Sequence, residues 1–278
     1  MARMVSQEIV SLAPPKEHRL PGVALVLVAI LVIGLWLYAT PGGLLGKADA
    51  IGYAVCHRID LRSFHLGERA LPLCSRCTGM YLGAMLTFAY LGGFQRRRAG
   101  LYPSRPILAI LVLFGVAFAV DGINSYLHFF PAAPHLYEPS NTMRLITGTL
   151  MGVVLGALVL PGFNQTVWRA WRREPVLRSG RDLGLLLAMA AGLILLVLTG
   201  NPLVLYPLAL LSSLGVLLLL ATVYTMLVLI LFRKENQISS RRQLVFPLLA
   251  GLTFAMAQIA LLDLGRYLLT GTWGGFSL

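Results

Sequence analysis

The fold of this chain is decided by its long apolar stretches, of which the longest is LVLYPLALLSSLGVLLLLATVYTMLVLILF, residues 203–232. This stretch contains no acidic, basic or histidine residue. An α-helix needs about 20 apolar residues to cross the hydrocarbon core of a bilayer, because each residue adds about 1.5 Å to its length. The stretch therefore predicts a transmembrane helix that is long enough to tilt.

The remainder of the chain repeats this pattern. Charged residues make up 12% of the chain and hydrophobic residues 57%, whereas soluble domains carry about 25% charged residues. The first apolar run is interpreted as a retained helix, since a secretory signal has a shorter apolar region. The sequence predicts an all-α polytopic transmembrane bundle of about seven spans, at residues 21–39, 78–94, 106–128, 141–160, 183–198, 203–232 and 244–269.

The distribution of charge predicts the orientation of the bundle. Lysine and arginine collect in cytoplasmic loops, which places the N-terminus inside and the C-terminus outside. The most basic connections then lie inside with a cytoplasmic tail at 1–20: residues 96–105, 169–181 and 233–242. The segment 56–77 disagrees, because it is placed outside and carries four arginines. We expect partners for them such as Asp60, Glu68 or lipid phosphate. Topology thus explains the net charge of +12 better than nucleic-acid binding does.

The segment 56–81, CHRIDLRSFHLGERALPLCSRCTGMY, contains all three cysteines of the chain. Three cysteines with one histidine are a common ligand set for structural zinc. His65 is an alternative metal ligand to His57, because Cys56 and His57 are adjacent in the chain and the side chains of adjacent residues tend to diverge. Thr78 follows the C-x-x-C, which excludes the C-x-x-C-H haem attachment motif, and no nucleotide motif is present. The sequence predicts zinc as the cofactor, with metal ligands Cys56, His57, Cys74 and Cys77.

Two further interpretations of the cysteines stay open. Cys77 begins the second predicted span, where the helix N-terminus and Arg76 favour the thiolate. A membrane thiol-disulfide oxidoreductase would use Cys74 and Cys77, with Cys56 as the resolving thiol. Alternatively, a single structural disulfide would fasten the segment in an oxidising compartment.

A second cluster lies in the third and fourth spans. Asp121 is a charged residue inside an apolar helix, which marks a candidate functional site. Asn124 and His128 share its helical face, and the next span opens with two polar residues, Asn141 and Arg144. We expect Asp121 and Arg144 to form an ion pair that either locks the helices or takes part in binding or proton transfer.

Glycine spacing predicts which helices meet. The fourth span contains glycines at every fourth position, and the second span repeats the spacing. Small residues at this spacing let helix backbones approach closely. We therefore expect the cysteine helix to pack against the Arg144 helix through Gly79, Gly83, Gly148, Gly152 and Gly156. In the last span, Asp263 and Arg266 are predicted to neutralise each other locally.

These residues resemble an uncharacterised prokaryotic family of small predicted membrane proteins, a domain of unknown function. The resemblance covers residues 56–156 and implies a multi-pass protein of a prokaryotic plasma membrane, without an established reaction. It follows the pattern C-H…C-x-R-C-T-G…D-G…S-N-x-x-R-x-x-T-G, carried by Cys56, His57, Arg62, Ser63, Cys74, Arg76, Cys77, Gly79, Tyr81, Gly83, Asp121, Gly122, Asn141, Arg144, Thr147, Gly148 and Gly152.

The chain is accordingly divided into three parts. The cytoplasmic tail at 1–20 comes first. A motif-bearing four-helix domain at 21–165 follows and contains an extracytoplasmic loop at 40–77. A three-helix extension at 166–278 completes the division. The leading hypothesis is a zinc-bearing membrane protein whose partners are membrane lipids. If it is an enzyme acting on a lipid or lipid-linked substrate, the general base is Asp121 or His128, and Arg144 holds an anionic group. Candidate substrate-binding residues are Arg62, Asn124 and Asn141. A transporter is a further alternative.

Overall fold

The computed structural model describes residues 19–95, 98–130 and 134–275. Most of this part of the chain is helical, which confirms the predicted all-α bundle. Its α-helices are α1 Arg19–Ala39, α2 Gly43–Val55, α3 Ser75–Ala89, α4 Arg105–Leu127, α5 Asn141–Val167, α6 Gly180–Leu198, α7 Pro202–Leu231 and α8 Arg241–Thr270. The predicted tail falls mainly on residues 1–18, which lie outside the described residues.

Six of these helices, α1 and α4 to α8, are long and apolar enough to cross a membrane. The second predicted span corresponds to α3, which has 15 residues and continues directly into a π-helix at Tyr90–Gln95. Together they form one helical segment over residues 75–95. The protein is therefore a multi-pass membrane protein, and its helices start and end within a few residues of the predicted spans.

Local sequence signals explain several helix ends. The Ser140 hydroxyl accepts a hydrogen bond from the Met143 amide at 3.2 Å and caps α5. Ser240 and Gln243 form a capping box at the start of α8. Their side chains accept hydrogen bonds from backbone N–H groups that have no partner inside the helix. Gly271 ends α8 with a φ of 67°, a left-handed conformation that glycine adopts without steric cost.

Short strands join the connecting segments at the two ends of the bundle. Strands β1 (His65–Leu66) and β2 (Arg69–Ala70) form an antiparallel hairpin before α3. Strands β3 (Ala99–Leu101) and β4 (Arg172–Pro175) pair in parallel, and Trp168 bridges to Ile238. These last contacts bring the three basic connections together, so they meet at one end of the bundle while the cysteines lie at the other.

Helix α2 was not predicted, because its 13 residues are too few to span a bilayer and follow a Pro-Gly-Gly break. Within the predicted loop at 40–77 it packs against α7, where the Ser213 hydroxyl donates to the Ala48 carbonyl at 3.3 Å. It also contacts the end of α8, since the Tyr53 hydroxyl donates to the Thr272 carbonyl at 2.7 Å. This helix therefore carries Cys56 into the bundle on a buried, rigid element.

The glycine spacing correctly predicts the contact between α3 and α5. A Cβ atom on Gly148 would fall against the Arg76 backbone carbonyl, and one on Gly79 would fall against the Leu145 carbonyl. Only glycine allows backbones to approach this closely. The contact fixes the first turn of α3, which bears Cys77 and Arg76, beside the first turns of α5.

Candidate functional site

The cysteines converge where α2 ends and α3 begins. Cys56 is the C-cap of α2, Cys74 is the N-cap of α3, and both are buried, with exposed fractions of 6% and 3%. Their sulfur atoms and a ring nitrogen of His57 all lie within 4.8 Å of one another. The Cys77 thiol hydrogen-bonds with both sulfurs. Three of the four predicted ligand residues therefore meet, Cys77 contacts only the two sulfurs of this group, and none of the three cysteines is in a disulfide.

The hydrogen bonds of this cluster centre on Cys56. Its sulfur accepts from the Cys74 backbone N–H at 3.3 Å. Hydrogen bonds from the Cys74 and Cys77 thiols hold the pKa of Cys56 well below its usual range. The same bonding to Cys56 raises the pKa of Cys74 to about 12. Cys56 is therefore the cysteine of the group whose ionisation the hydrogen bonds favour.

The orientation of His57 decides how it could bind a metal. Burial, the largest cause, lowers its pKa, and the charge of Arg62 acts in the same direction. The Nδ1 atom accepts a hydrogen bond from the Ile59 N–H at 3.0 Å, so the neutral ring carries its proton on Nε2. Ligation through Nδ1 requires that the Ile59 bond be exchanged for the metal. His65, the alternative ligand, is exposed and bonds Asp60 at 3.0 Å.

The end of α8 holds the cysteine segment in place. Arg266 donates through Nη1 to the Tyr53 and Cys56 carbonyls, each at 2.7 Å, and through Nη2 to the His57 carbonyl at 3.3 Å. Asp263 accepts from the Trp36 indole at 2.8 Å. The prediction of local neutralisation between Asp263 and Arg266 thus missed the main contacts of the arginine. Arg266 connects α8 to the end of α2 and to the first two residues of the cysteine segment.

Asp121 is completely buried, as predicted for a functional residue inside a helix, but its predicted partner was wrong. Its Oδ2 accepts from Arg76 Nε at 3.0 Å and from the Thr147 hydroxyl at 3.2 Å, and its Oδ1 accepts from the Tyr137 hydroxyl at 2.8 Å. Among the described residues, no ion pair joins Asp121 to Arg144. Arg76 is the partner because the close approach of α3 to α5 brings its side chain within hydrogen-bonding distance of Asp121 in α4.

Asn124 and His128 follow Asp121 along α4, with different surroundings. The Asn124 amide donates to the Tyr137 carbonyl at 2.8 Å, and its oxygen accepts from the Leu136 N–H at 2.6 Å. Asn124 therefore holds the connection to α5 in place. His128 is exposed and faces Glu138 at 3.8 Å, so it lies outside the buried network around Asp121.

Arg62, Asn141 and Arg144 meet at the start of α5. The Asn141 amide donates to the Leu61 carbonyl at 3.2 Å, and its oxygen accepts from Arg144 Nη1 at 3.0 Å. Arg62 donates to the Ser125 carbonyl at 2.8 Å. Arg144, predicted as an ion-pair partner, instead bonds Asn141, a predicted substrate-binding residue.

Two arginines of the cysteine segment pair with a carboxylate other than the expected Asp60 and Glu68. Arg58 pairs with Asp49 at 3.0 Å, and Arg69 pairs with the other oxygen of the same carboxylate. Asp49 lies in α2, which was assigned to a loop. Its role could not be predicted without that helix. Likewise, Tyr137 was missed because the connection before α5 has no periodic pattern that indicates a buried hydroxyl.

The comparisons with known proteins cover this site. The family model described as "Predicted membrane protein (DUF2085)" matches residues 56–158. An uncharacterized protein of Methanothermobacter thermautotrophicus is 32% identical over 104 residues, 37% of this chain and 83% of the relative. An uncharacterized protein of Methanocaldococcus jannaschii is 24% identical over 123 residues, 44% of this chain and 72% of the relative. No solved structure matches the chain.

Proposed function

We propose that this chain, which belongs to the DUF2085 family of predicted membrane proteins, binds one zinc ion through Cys56, His57, Cys74 and Cys77. The observation that carries the proposal is the buried convergence of the Cys56 and Cys74 sulfurs with a His57 ring nitrogen, all within 4.8 Å. Zinc takes four such ligands in a tetrahedron. Bound there, it would fasten the end of α2 to the start of α3 as a structural metal.

The Nδ1 atom of His57 is the variable part of this site. If Nδ1 leaves the Ile59 N–H and binds the metal, the site is closed and the zinc is structural. If the bond to Ile59 persists, three thiolates hold the metal and the fourth position is open, as in catalytic zinc sites. Buried Asp121 is fully engaged by Arg76, Tyr137 and Thr147, so it would orient these groups.

The position of the three basic connections supports placing the zinc site on the outer side of the membrane. These connections meet at the end of the bundle opposite the cysteines, and basic segments favour the cytoplasm. The cysteine segment retains its arginines on the outer side because Asp49 and Asp121 pair with three of them. We therefore propose the predicted orientation, with the N-terminus inside.

Elemental analysis of the detergent-purified full chain tests the zinc proposal. We expect about one zinc per chain, lost in Cys74→Ser and in Cys77→Ser. The matched control is His65→Ala, which removes an exposed histidine of the same segment and should keep the metal. Protein without metal, in wild type and control alike, overturns the proposal.

The hydrogen bonding of Cys56 favours a second candidate, a thiol-disulfide oxidoreductase. The Cys56 thiolate would attack a substrate disulfide and form a mixed disulfide, releasing one substrate thiolate that takes up a proton. The Cys74 thiol, after losing its proton, would then displace the second substrate thiol and leave a Cys56–Cys74 disulfide. The metal-free protein would in that case show reversible oxidation of these two cysteines, measured by thiol titration and mass spectrometry.

A further inference from the structure

Three arginines, Arg62, Arg76 and Arg144, lie near Ser125 and Asn141 at the end of the bundle that holds the cysteines. Arg62 Nη2 donates to the Ser125 carbonyl at 2.8 Å, and Arg76 Nη2 donates to the Ser125 hydroxyl at 3.0 Å. Arg144 is tied to the same place through Asn141, which also bonds the backbone carbonyls on either side of Arg62. The three guanidinium groups therefore share one small region.

The carboxylate that pairs with an arginine of this group, Asp121, is already used. Asp121 accepts hydrogen bonds from Arg76, Thr147 and Tyr137. Among the described residues, no acidic side chain forms an ion pair with Arg62 or Arg144. Burial, reinforced by the positive charges of Arg144 and Arg76, lowers the pKa of Arg62 to about 10. Positive charge thus accumulates here without a balancing group, which is costly away from water.

Zinc in the neighbouring site would not remove this excess. A zinc ion with three thiolates carries one negative charge, which together with Asp121 is outnumbered by the three guanidinium groups. The imbalance is therefore independent of whether the metal proposal holds.

Arg144 has donors that the protein leaves unused. Its exposed fraction is 6%, and its Nε atom has no hydrogen-bond partner among the described residues. A guanidinium group has five N–H donors, yet one bond, from Nη1 to Asn141, accounts for the hydrogen bonding of this side chain to described residues. A buried charged donor without an acceptor is unfavourable unless a ligand supplies the acceptor.

The opening above this cluster suits an anion. Arg62 is half-buried and stacks on Phe129, with its guanidinium carbon 3.7 Å from the ring centre. Asn141 is half-buried and Leu61 is exposed, so the cluster can be reached from outside the bundle. The first turn of α5 adds the positive end of a helix dipole, and helix N-termini bind phosphate through this charge and their free N–H groups.

We propose that Arg62 and Arg144, with Asn141, bind a phosphate group that is presented by an anionic lipid headgroup or by a soluble phosphate. The planar guanidinium fork matches the oxygens of a phosphate and donates two parallel hydrogen bonds. Arg76 does not take part directly, because Asp121 occupies it. Its role is to hold Asp121 away from the ligand.

Binding to the detergent-purified full chain distinguishes the two sources. Native mass spectrometry measures retention of phosphatidic acid against phosphatidylcholine, and thermal unfolding measures the shift that inorganic phosphate produces. Retention of phosphatidic acid without a shift from inorganic phosphate assigns a lipid headgroup, and a shift from inorganic phosphate assigns a soluble ligand. Either result supports the proposal, and the absence of both overturns it.

Variants test the assignment to these side chains. Arg62→Gln and Arg144→Gln should each weaken binding at least about tenfold, because each removes charged hydrogen bonds. Arg62 is partly exposed, so its variant keeps the test informative if Arg144→Gln does not fold. The matched control is Arg69→Gln in the same segment, whose guanidinium pairs with Asp49. An equal loss in that control would show nonspecific attraction and overturn the proposal. Zinc content measured in parallel separates this outcome from failure of the metal site.

Discussion

Arg76 and Asp121 form a buried ion pair between α3 and α4. Arg76 Nε donates to Asp121 Oδ2 at 3.0 Å, while Nη2 donates to the same oxygen and, at 3.0 Å, to the Asp121 backbone carbonyl. The two side chains have exposed fractions of 16% and 1%. This pair links α3 to α4 through two residues that are 45 positions apart in the sequence. It is the only ion pair of Asp121 among the described residues.

Removing the carboxylate from this pair should destabilise the protein strongly. Asp121→Asn leaves the Arg76 charge buried without its partner, which costs about 3–5 kcal/mol. The free energy of unfolding, measured by denaturant titration in mixed micelles, checks this value.

A second substitution tests whether the cost comes from the pair itself. Arg76→Met combined with Asp121→Asn removes both charges, so the double variant should be more stable than Asp121→Asn alone. If the free energy of unfolding of Asp121→Asn lies within about 0.5 kcal/mol of the wild-type value, the pair is not a stabilising contact.

The burial of Asp121 as a polar side chain inside an apolar helix could be predicted from sequence, whereas its partner could not. Hydropathy predicts the depth of a residue in the membrane, and it predicts a similar depth for Asp121 and Arg144. The choice between Arg144 and Arg76 depends on how α3, α4 and α5 are rotated about their axes. That rotation is set by the glycine contact between α3 and α5, which the sequence indicates only as a pairing of helices.

Gly148→Ala should push α3 away from α5. The added Cβ would meet the Arg76 backbone carbonyl, which cannot move aside as a flexible side chain would. We expect destabilisation by about 1–3 kcal/mol, measured as the free energy of unfolding in mixed micelles.

The matched control for this helix contact is Gly192→Ala in α6. No atom lies within 4 Å of the corresponding Cβ position, so this change should stabilise α6 by up to about 1 kcal/mol. Equal effects of the two substitutions would mean that the predicted close approach does not determine stability.

Helix α2 shows a second limit of the sequence analysis. Its 13 residues include leucines and alanines, which favour a helix, but the helix is too short to be recognised as a membrane span. Its Asp49 pairs with two arginines that seemed to contradict the charge rule. The four metal-ligand candidates could be predicted from residue type and spacing, whereas the elements that position them could not.

Arg266→Gln should loosen the cysteine segment. The variant loses the hydrogen bonds from the guanidinium to the Tyr53, Cys56 and His57 carbonyls. Groups that orient metal ligands commonly change metal affinity by 10- to 100-fold, so we expect zinc affinity to fall by about that factor. Competition with a chelator measures it.

A readout without metal accompanies this test. Cys56 is 6% exposed, and its alkylation by maleimide in metal-free protein should be faster in Arg266→Gln. The control, Arg241→Gln, lies at the far end of α8 and should behave as wild type. Equal alkylation rates in Arg266→Gln and wild type would contradict a clamping role.

The stability of the metal-free protein should depend on the protonation of His57. Burial lowers the pKa of His57 from its usual value, so the folded state binds fewer protons than the unfolded chain at intermediate pH. Stability therefore rises with pH there. The contribution is fully present above the unfolded pKa of about 6.5 and is lost as the pH falls through the lower folded value. We expect the Tm of chelator-treated wild type to drop as the pH falls below about 6.5, and His57→Gln to remove part of that drop. The control is His65→Gln, which alters an exposed histidine of the same segment and should keep the wild-type profile. Parallel Tm profiles for wild type and His57→Gln would show that the buried ring does not remain neutral in the folded state.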